Sequence, residues 1–176
     1  NRTIRSAAFE SMCPGNAPSD MLLNYHRSVA AGGIGMTTVA YAAVTRSGLS
    51  FDRQLWMRPE IIPGLRRLTD AVHAEGAAAG IQLGHCGNMS HKSICGCTPV
   101  GASGGFNLYS PTFVRGLRAD ELPELARAYG RSVNLAREAG FDAVEIHAGH
   151  GYLISQFLSP ATNHRKDEFG GSLQNR

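Results

Sequence analysis

The stretch "LAREAGFDAVEIHAGHGY", residues 135–152, joins the end of a helix to an apolar strand and then to a histidine-rich loop. A helix is predicted over 119–140, because acidic residues open it and a glycine ends it. A strand is predicted over 141–148, where the residues turn apolar in a short run. This order of helix, glycine, strand and polar loop is typical of a β/α unit.

The same alternation recurs along the rest of the chain. Further strands are predicted over 1–9, 34–44 and 78–85, and further helices over 18–33 and 59–77. Alternating strands and helices indicate a parallel sheet with right-handed crossovers. The fold class is therefore α/β, either an open doubly wound sheet or part of a (β/α)₈ barrel.

The segment after the first strand favours the barrel. "SAAFESMCPGNAP", residues 6–18, lacks the G-x-G-x-x-G turn that a dinucleotide-binding open sheet would carry there. A complete barrel takes about 250 residues, whereas the chain has 176. Its four parallel strands and three helices therefore predict the N-terminal half of a TIM barrel, with 1–176 as one partial domain.

Composition excludes several classes of function. The chain is 43% hydrophobic and 18% charged with a net charge of +3, and no basic block suggests nucleic-acid binding. No apolar run is long enough to predict a membrane span, and no secretory leader is visible, so a cytoplasmic location is expected. The four cysteines are expected to be reduced thiols, with a metal site as the minority alternative.

Polar groups gather where the predicted strands end. The first two strands end in small residues, the third carries Gln82, and the fourth is followed by His147, His150 and Tyr152. Ligands bind at the carboxyl ends of parallel strands, and this set suits a flat, hydrogen-bonding ligand. A histidine metal site stays open as an alternative, since another histidine could fold in, although no carboxylate stands at a third-ligand spacing.

Longer motifs resemble a known family. "HAGHGYLISQFLSPATNHRKDEFGGSLQNR" at 147–176, "AREAGFDAVEIH" at 136–147 and "IQLGHCG" at 81–87 are similar, in the same order, to the Old Yellow Enzyme family of FMN-dependent oxidoreductases. The nearest forms are the 2,4-dienoyl-CoA reductase-like and bacterial ene-reductase members. The resemblance covers nearly the whole chain.

The resemblance implies a role for each matching position. Gln82 would bind the pyrimidine edge of FMN, beside His147, and backbone at Ala7, Ala8 and Tyr41 would line the flavin ring. His147 and His150 would hold a substrate oxygen, and Tyr152 would donate a proton. Arg165 and Asp167 are expected to be a structural pair followed by a tight Gly170–Gly171 turn. The chain departs from the family at Phe9, where members often carry Cys or Thr, and at Tyr41, where many carry Ala.

The expected activity is reduction of the C=C bond of an α,β-unsaturated carbonyl compound by NAD(P)H, with FMN as cofactor, no metal and a small enone-type molecule as partner. The alternatives are an amine dehydrogenase or demethylase of the same family and a non-catalytic half-barrel. The isolated chain is expected to be inactive. Unpaired edge strands predict self-association into a homo-oligomer.

Overall fold

A computed structural model describes residues 1–176 and contains a four-stranded parallel sheet. The strands stand in the order β1, β2, β3, β7, with bounds Ile4–Arg5, Met36–Ala43, Ala78–Gly84 and Ala143–Ile146. Every pairing within this sheet is parallel. The predicted α/β class and its four parallel strands are therefore confirmed.

Three long helices cross between these strands, as predicted. They are α1 (Asp20–Ala31), α2 (Ile62–Ala74) and α4 (Leu122–Glu138). Each is shorter than predicted; α2 and α4 begin after a 3-10 turn, and α1 begins where the Ser19 hydroxyl accepts a hydrogen bond from Leu22 N. Two short helices were not predicted, α3 (Lys92–Cys95) and α5 (Leu153–Leu158). No helix in the structure has the length and apolar character needed to cross a bilayer.

The main core lies between the sheet and the long helices. Leu65, Leu68 and Val72 of α2 are fully buried, as are Ile81 and Leu83 of β3. Alternate residues of a strand point to opposite faces, so the residues between them on β3 face away from the helices. That second face of β3 carries Gly80, Gln82 and Gly84 and is the face on which the candidate site is built.

The prediction of a first strand over 1–9 is wrong outside β1. Only Ile4 and Arg5 pair with β2. Further along β2, hydrogen bonds from side chains take the place of strand pairing. The Arg5 guanidinium donates to Thr38 O at 2.7 Å, and the Glu10 carboxylate accepts from Ala40 N at 3.1 Å. The segment is therefore held to β2 without continuing the sheet.

The glycine-rich stretch between β3 and α4, for which the sequence predicts no strand, contains a second sheet. Its strands are β4 (Val100–Gly101), β5 (Gly105–Asn107) and β6 (Thr112–Gly116). β5 and β6 form an antiparallel hairpin on which Phe106 and Phe113 pack edge to face at 5.2 Å. The hairpin tip leaves several large apolar side chains exposed.

The predicted structural pair Arg165–Asp167 is confirmed, and it ties the second sheet to the C-terminal loop. Arg165 Nε lies 2.9 Å from Asp167 Oδ1, and Arg165 also donates to the carbonyls of Ala102 and Leu117. Its side chain is mostly buried. Gly170 packs directly on Arg165, so an added Cβ would lie 2.5 Å from Arg165 O.

His85, at the carboxyl end of β3, is fully enclosed. Its Nδ1 accepts from Gly87 N at 3.0 Å, so its Nε2 carries the proton and contacts Ser47 Oγ at 3.1 Å. Burial lowers the pKa of His85 from 6.5 to about 4. His85 is therefore neutral at physiological pH.

We expect Leu68→Ala to destabilise the fold by about 2–5 kcal/mol, because it opens a cavity in the main core. The matched control is Arg67→Ala on the same helix. The Arg67–Asp20 ion pair is exposed and spans 2.8 Å, and such pairs contribute at most about 1 kcal/mol. Urea unfolding followed by circular dichroism measures both changes. Equal losses in the two variants would contradict the assignment of Leu68 to the core.

The free energy of unfolding should fall on acidification because of His85. The unfolded histidine takes up a proton near its ordinary pKa of 6.5, whereas the folded one does so only near 4. The contribution of His85 to the free energy of unfolding is therefore complete above about pH 6.5, and it is lost as the pH falls from about 6.5 to about 4. Urea unfolding at several pH values checks this against His85→Gln, which should have a flatter profile. An equally steep pH dependence in His85→Gln would show that His85 is not the source of the acid sensitivity.

Candidate active site

Pairing between β3 and β7 places Gln82 and His147 on adjacent strands of one face. Gln82 is in register with Glu145, and His147 N donates to Leu83 O at 2.8 Å just beyond the ladder. The His147 side chain is only 6% exposed. The carboxyl end of β7 thus brings an imidazole next to a buried carboxamide, as the sequence predicts.

The two predicted histidines are hydrogen-bonded to each other. His147 Nδ1 accepts from Gly149 N at 3.2 Å, so the tautomer consistent with the network carries the proton on Nε2. That nitrogen lies 3.1 Å from His150 Nδ1, which then acts as acceptor. His150 in turn carries its proton on Nε2, so one imidazole N–H is left to bind a ligand directly.

The backbone at His150 is in an uncommon conformation. His150 has φ +55°, in the left-handed region that non-glycine residues seldom adopt. Glycines flank it on both sides, and Gly151 also has a positive φ of 68°. Strained backbone of this kind is found at functional sites. Here it turns the chain so that His150 faces back towards His147.

Burial lowers the pKa of His147, and the nearby His150 lowers it further. The imidazole of His147 is therefore neutral at pH 7. A neutral imidazole can donate one hydrogen bond without placing a full positive charge beside a ligand.

Tyr152 completes the cluster. It stands immediately before α5 and is half-buried. Its ring centroid lies 4.8 Å from that of His147 and 6.3 Å from that of His150. All three residues predicted to be catalytic therefore lie together, within reach of one small molecule.

Tyr41 has a side-chain position that the sequence prediction missed. Its ring is 3% exposed and packs edge to face on His147, with centroids 5.7 Å apart. The Tyr41 hydroxyl is hydrogen-bonded to Ser50 Oγ at 2.8 Å, and burial raises the pKa of this phenol. Gly84 makes room for the ring, since an added Cβ would lie 2.9 Å from Tyr41 Cδ2.

Ala7 and Ala8, the other predicted cofactor contacts, lie on the segment that follows β1. β2 and β3 separate β1 from β7 in the sheet, so these residues lie on the opposite side of Gln82 from the histidine cluster. Phe9, where the family often has Cys or Thr, stacks on Phe51 with ring centroids 4.6 Å apart. Phe9 is thus held in place by packing against Phe51.

The residues of this face fit the pyrimidine edge of a flavin. The Gln82 amide donates to Glu145 Oε1 through one hydrogen, which leaves its carbonyl oxygen and its other hydrogen for a ligand. A carboxamide that both donates and accepts matches the alternating N–H and C=O groups of that edge. No group of three or more potential metal ligands is present in the structure.

Comparisons with known proteins agree with this geometry. The chain is 43% identical over its full length to a 4,4'-dithiodibutanoate disulfide reductase of Rhodococcus erythropolis, and 42% identical over 90% of its length to an NADPH dehydrogenase of Listeria monocytogenes. It covers 44% and 46% of those relatives, so it spans about half their length.

Solved structures give the same result. The old yellow enzyme homologue from Zymomonas mobilis superimposes with a TM-score of 0.92 at 29% identity, over 99% of this chain and 52% of that one. Morphinone reductase in complex with tetrahydroNAD gives 0.92 at 27% identity, over 99% and 53%.

The sequence model of the NADH:flavin oxidoreductase / NADH oxidase family matches residues 1–176. This match and the NADPH dehydrogenase relatives confirm the predicted cofactor pair of FMN and NAD(P)H. The chain belongs to the NADH:flavin oxidoreductase / NADH oxidase family, the family of the Old Yellow Enzymes.

Proposed function

We propose that the protein containing this chain reduces the C=C bond of α,β-unsaturated carbonyl compounds at the expense of NAD(P)H. The observation that carries the proposal is the cluster of His147, His150 and Tyr152 at the carboxyl end of β7, beside Gln82. Two hydrogen-bond donors and a phenol within a few ångströms suit a substrate that gains negative charge on oxygen and a proton on carbon.

The histidines bind the carbonyl oxygen. FMN, when bound, supplies the hydride. Negative charge would then develop on the substrate oxygen, and N–H donors aimed at that oxygen would stabilise it. His150 Nε2–H is free to donate at once, and the His147 proton becomes available when the substrate oxygen takes the place of His150 Nδ1.

Tyr152 supplies the proton to the α-carbon. Its hydroxyl carries an O–H that can donate, and its ring is fixed between His147 and Tyr41, with centroid distances of 4.8 and 5.4 Å. Because neighbouring rings hold it, the phenol loses little conformational freedom when a substrate binds. Tyr41 therefore supports both the proton donor and the buried histidine.

A second candidate function is reduction of an organic disulfide. It is favoured by the relative from Rhodococcus erythropolis, whose name gives 4,4'-dithiodibutanoate disulfide as its substrate. The same imidazole donors would then hold a carboxylate of the substrate. NAD(P)H oxidation by the full-length protein with cyclohexenone, compared with 4,4'-dithiodibutanoate, separates the two candidates.

Other sequence predictions stay predictions. These are the cytoplasmic location, the homo-oligomer, the single partial domain over 1–176, the inactivity of the isolated chain, and the roles of Ala7, Ala8 and Tyr41 at the flavin. The amine dehydrogenase or demethylase alternative and the non-catalytic half-barrel are distinguished first by the absorbance spectrum. Visible flavin absorbance in the purified full-length protein is expected, and its absence would favour the half-barrel.

We expect Tyr152→Phe in the full-length protein to slow enone reduction by about 10²–10⁴-fold, the usual contribution of a positioned general acid. The half-reaction with NAD(P)H needs no proton from Tyr152 and should keep its rate. Stopped-flow measurement of each half-reaction with cyclohexenone checks both statements.

The matched control is Tyr25→Phe, which removes the hydroxyl of a half-buried tyrosine on α1, away from the histidine cluster. It should leave both half-reactions unchanged. Enone reduction by Tyr152→Phe within about threefold of the parent rate would correspond to a change of less than about 1 kcal/mol in activation free energy. In that case Tyr152 would serve only in packing.

A further inference from the structure

Two cysteines face each other across a tight turn away from the candidate active site. Cys95 ends α3, and Gly96 follows in the left-handed conformation with φ 74°. This turn brings Cys97 back, so that the two sulfur atoms lie 3.6 Å apart. Both are free thiols. Since a disulfide bond is about 2.05 Å long, a modest side-chain movement would close it.

The two thiols differ in access to solvent. Cys95 is 2% exposed, whereas Cys97 is exposed. Cys97 lines a cleft of about 540 Å³ together with Ser47, His85 and Arg115. No residue of the His147, His150 and Tyr152 cluster lines this cleft. An outside reagent can therefore reach the Cys97 sulfur, whereas burial shields the Cys95 sulfur, which lies next to Cys97.

Cations lie beside the exposed thiol. The Arg46 guanidinium packs on the turn, where a Cβ added to Gly96 would lie 3.1 Å from it. Burial and the Cys95 thiol raise the pKa of Cys97, while Arg46 and Arg115 act in the opposite direction. Thiolate, the reactive form, should therefore become more abundant as the pH rises above neutrality.

We propose that Cys95 and Cys97 form a dithiol site that exchanges with small organic disulfides. The Cys97 thiolate attacks one sulfur of the disulfide; the S–S bond breaks, and the first thiol leaves with the proton that Cys97 has lost. The Cys95 thiolate then attacks Cys97 Sγ, and the second thiol leaves. The protein is oxidised by two electrons, the disulfide is reduced to two thiols, and an added dithiol restores the cysteines.

This exchange needs neither flavin nor nicotinamide, so it stands or falls separately from the proposed function. The test uses the full-length protein, reduced and freed of reductant, with 2-hydroxyethyl disulfide at pH 8.5 and no NAD(P)H. Peptide mapping by mass spectrometry should find a Cys95–Cys97 disulfide in the folded protein. Dithiothreitol should reverse it.

Variants separate the two steps. Cys95→Ser should stop at a stable mixed disulfide on Cys97, and Cys97→Ser should leave Cys95 unmodified, because Cys95 is buried. The matched control is Cys13→Ala, which removes a buried cysteine elsewhere in the core and should still give the Cys95–Cys97 disulfide. Circular dichroism melting verifies that each variant is folded.

Two results would overturn the proposal. One is a parent protein that stays reduced, or that accumulates only the mixed disulfide. The other is modification of Cys95 in folded Cys97→Ser at the rate of Cys97 in the parent. If the Cys95 or Cys97 variant does not fold, the mapped linkage in the parent protein decides alone.

Discussion

The hydrogen-bonded pairing of β3 with β7 determines where the candidate active site of this molecule lies. It sets Gln82 opposite Glu145 and places His147 at the first position beyond the ladder. Because successive side chains on a strand alternate between faces, a shift of one residue would turn Gln82 or His147 towards the helices. The buried apolar residues on the other face, Ile81 and Leu83, hold the register through the core.

Close packing at the carboxyl end of β3 depends on glycine at position 84, which has no side chain. Gly84 lets the Tyr41 ring lie against His147, where any larger residue on β3 would collide with it. The resulting cluster of Tyr41, His147 and Tyr152 is tightly packed and largely uncharged. Such surroundings disfavour protonated His147, so packing and electrostatics act together to keep that imidazole a neutral donor.

Much of this arrangement could be predicted from the sequence, because apolar periodicity and glycine stops mark the long elements and parallel strands end at one edge. The second sheet could not, since β4 to β6 have only two to five residues each in a glycine-rich stretch. The position of the Tyr41 side chain also escaped prediction. β2 shifts register between Val39 and Ala42, and such an irregularity changes the alternation of faces without leaving a pattern in the sequence.

Under the proposed function, the hydrogen bond between His147 and His150 affects how strongly a substrate binds before and during the reaction. In the proposed enone reduction, a neutral carbonyl that displaces His150 Nδ1 would exchange one neutral hydrogen bond for another, so it would gain little binding energy from His147. As negative charge develops on its oxygen, the same contact becomes a bond to a charged acceptor, worth about 1.5–3 kcal/mol instead of about 1. The gain therefore falls mainly in the transition state, which is where an interaction accelerates a reaction.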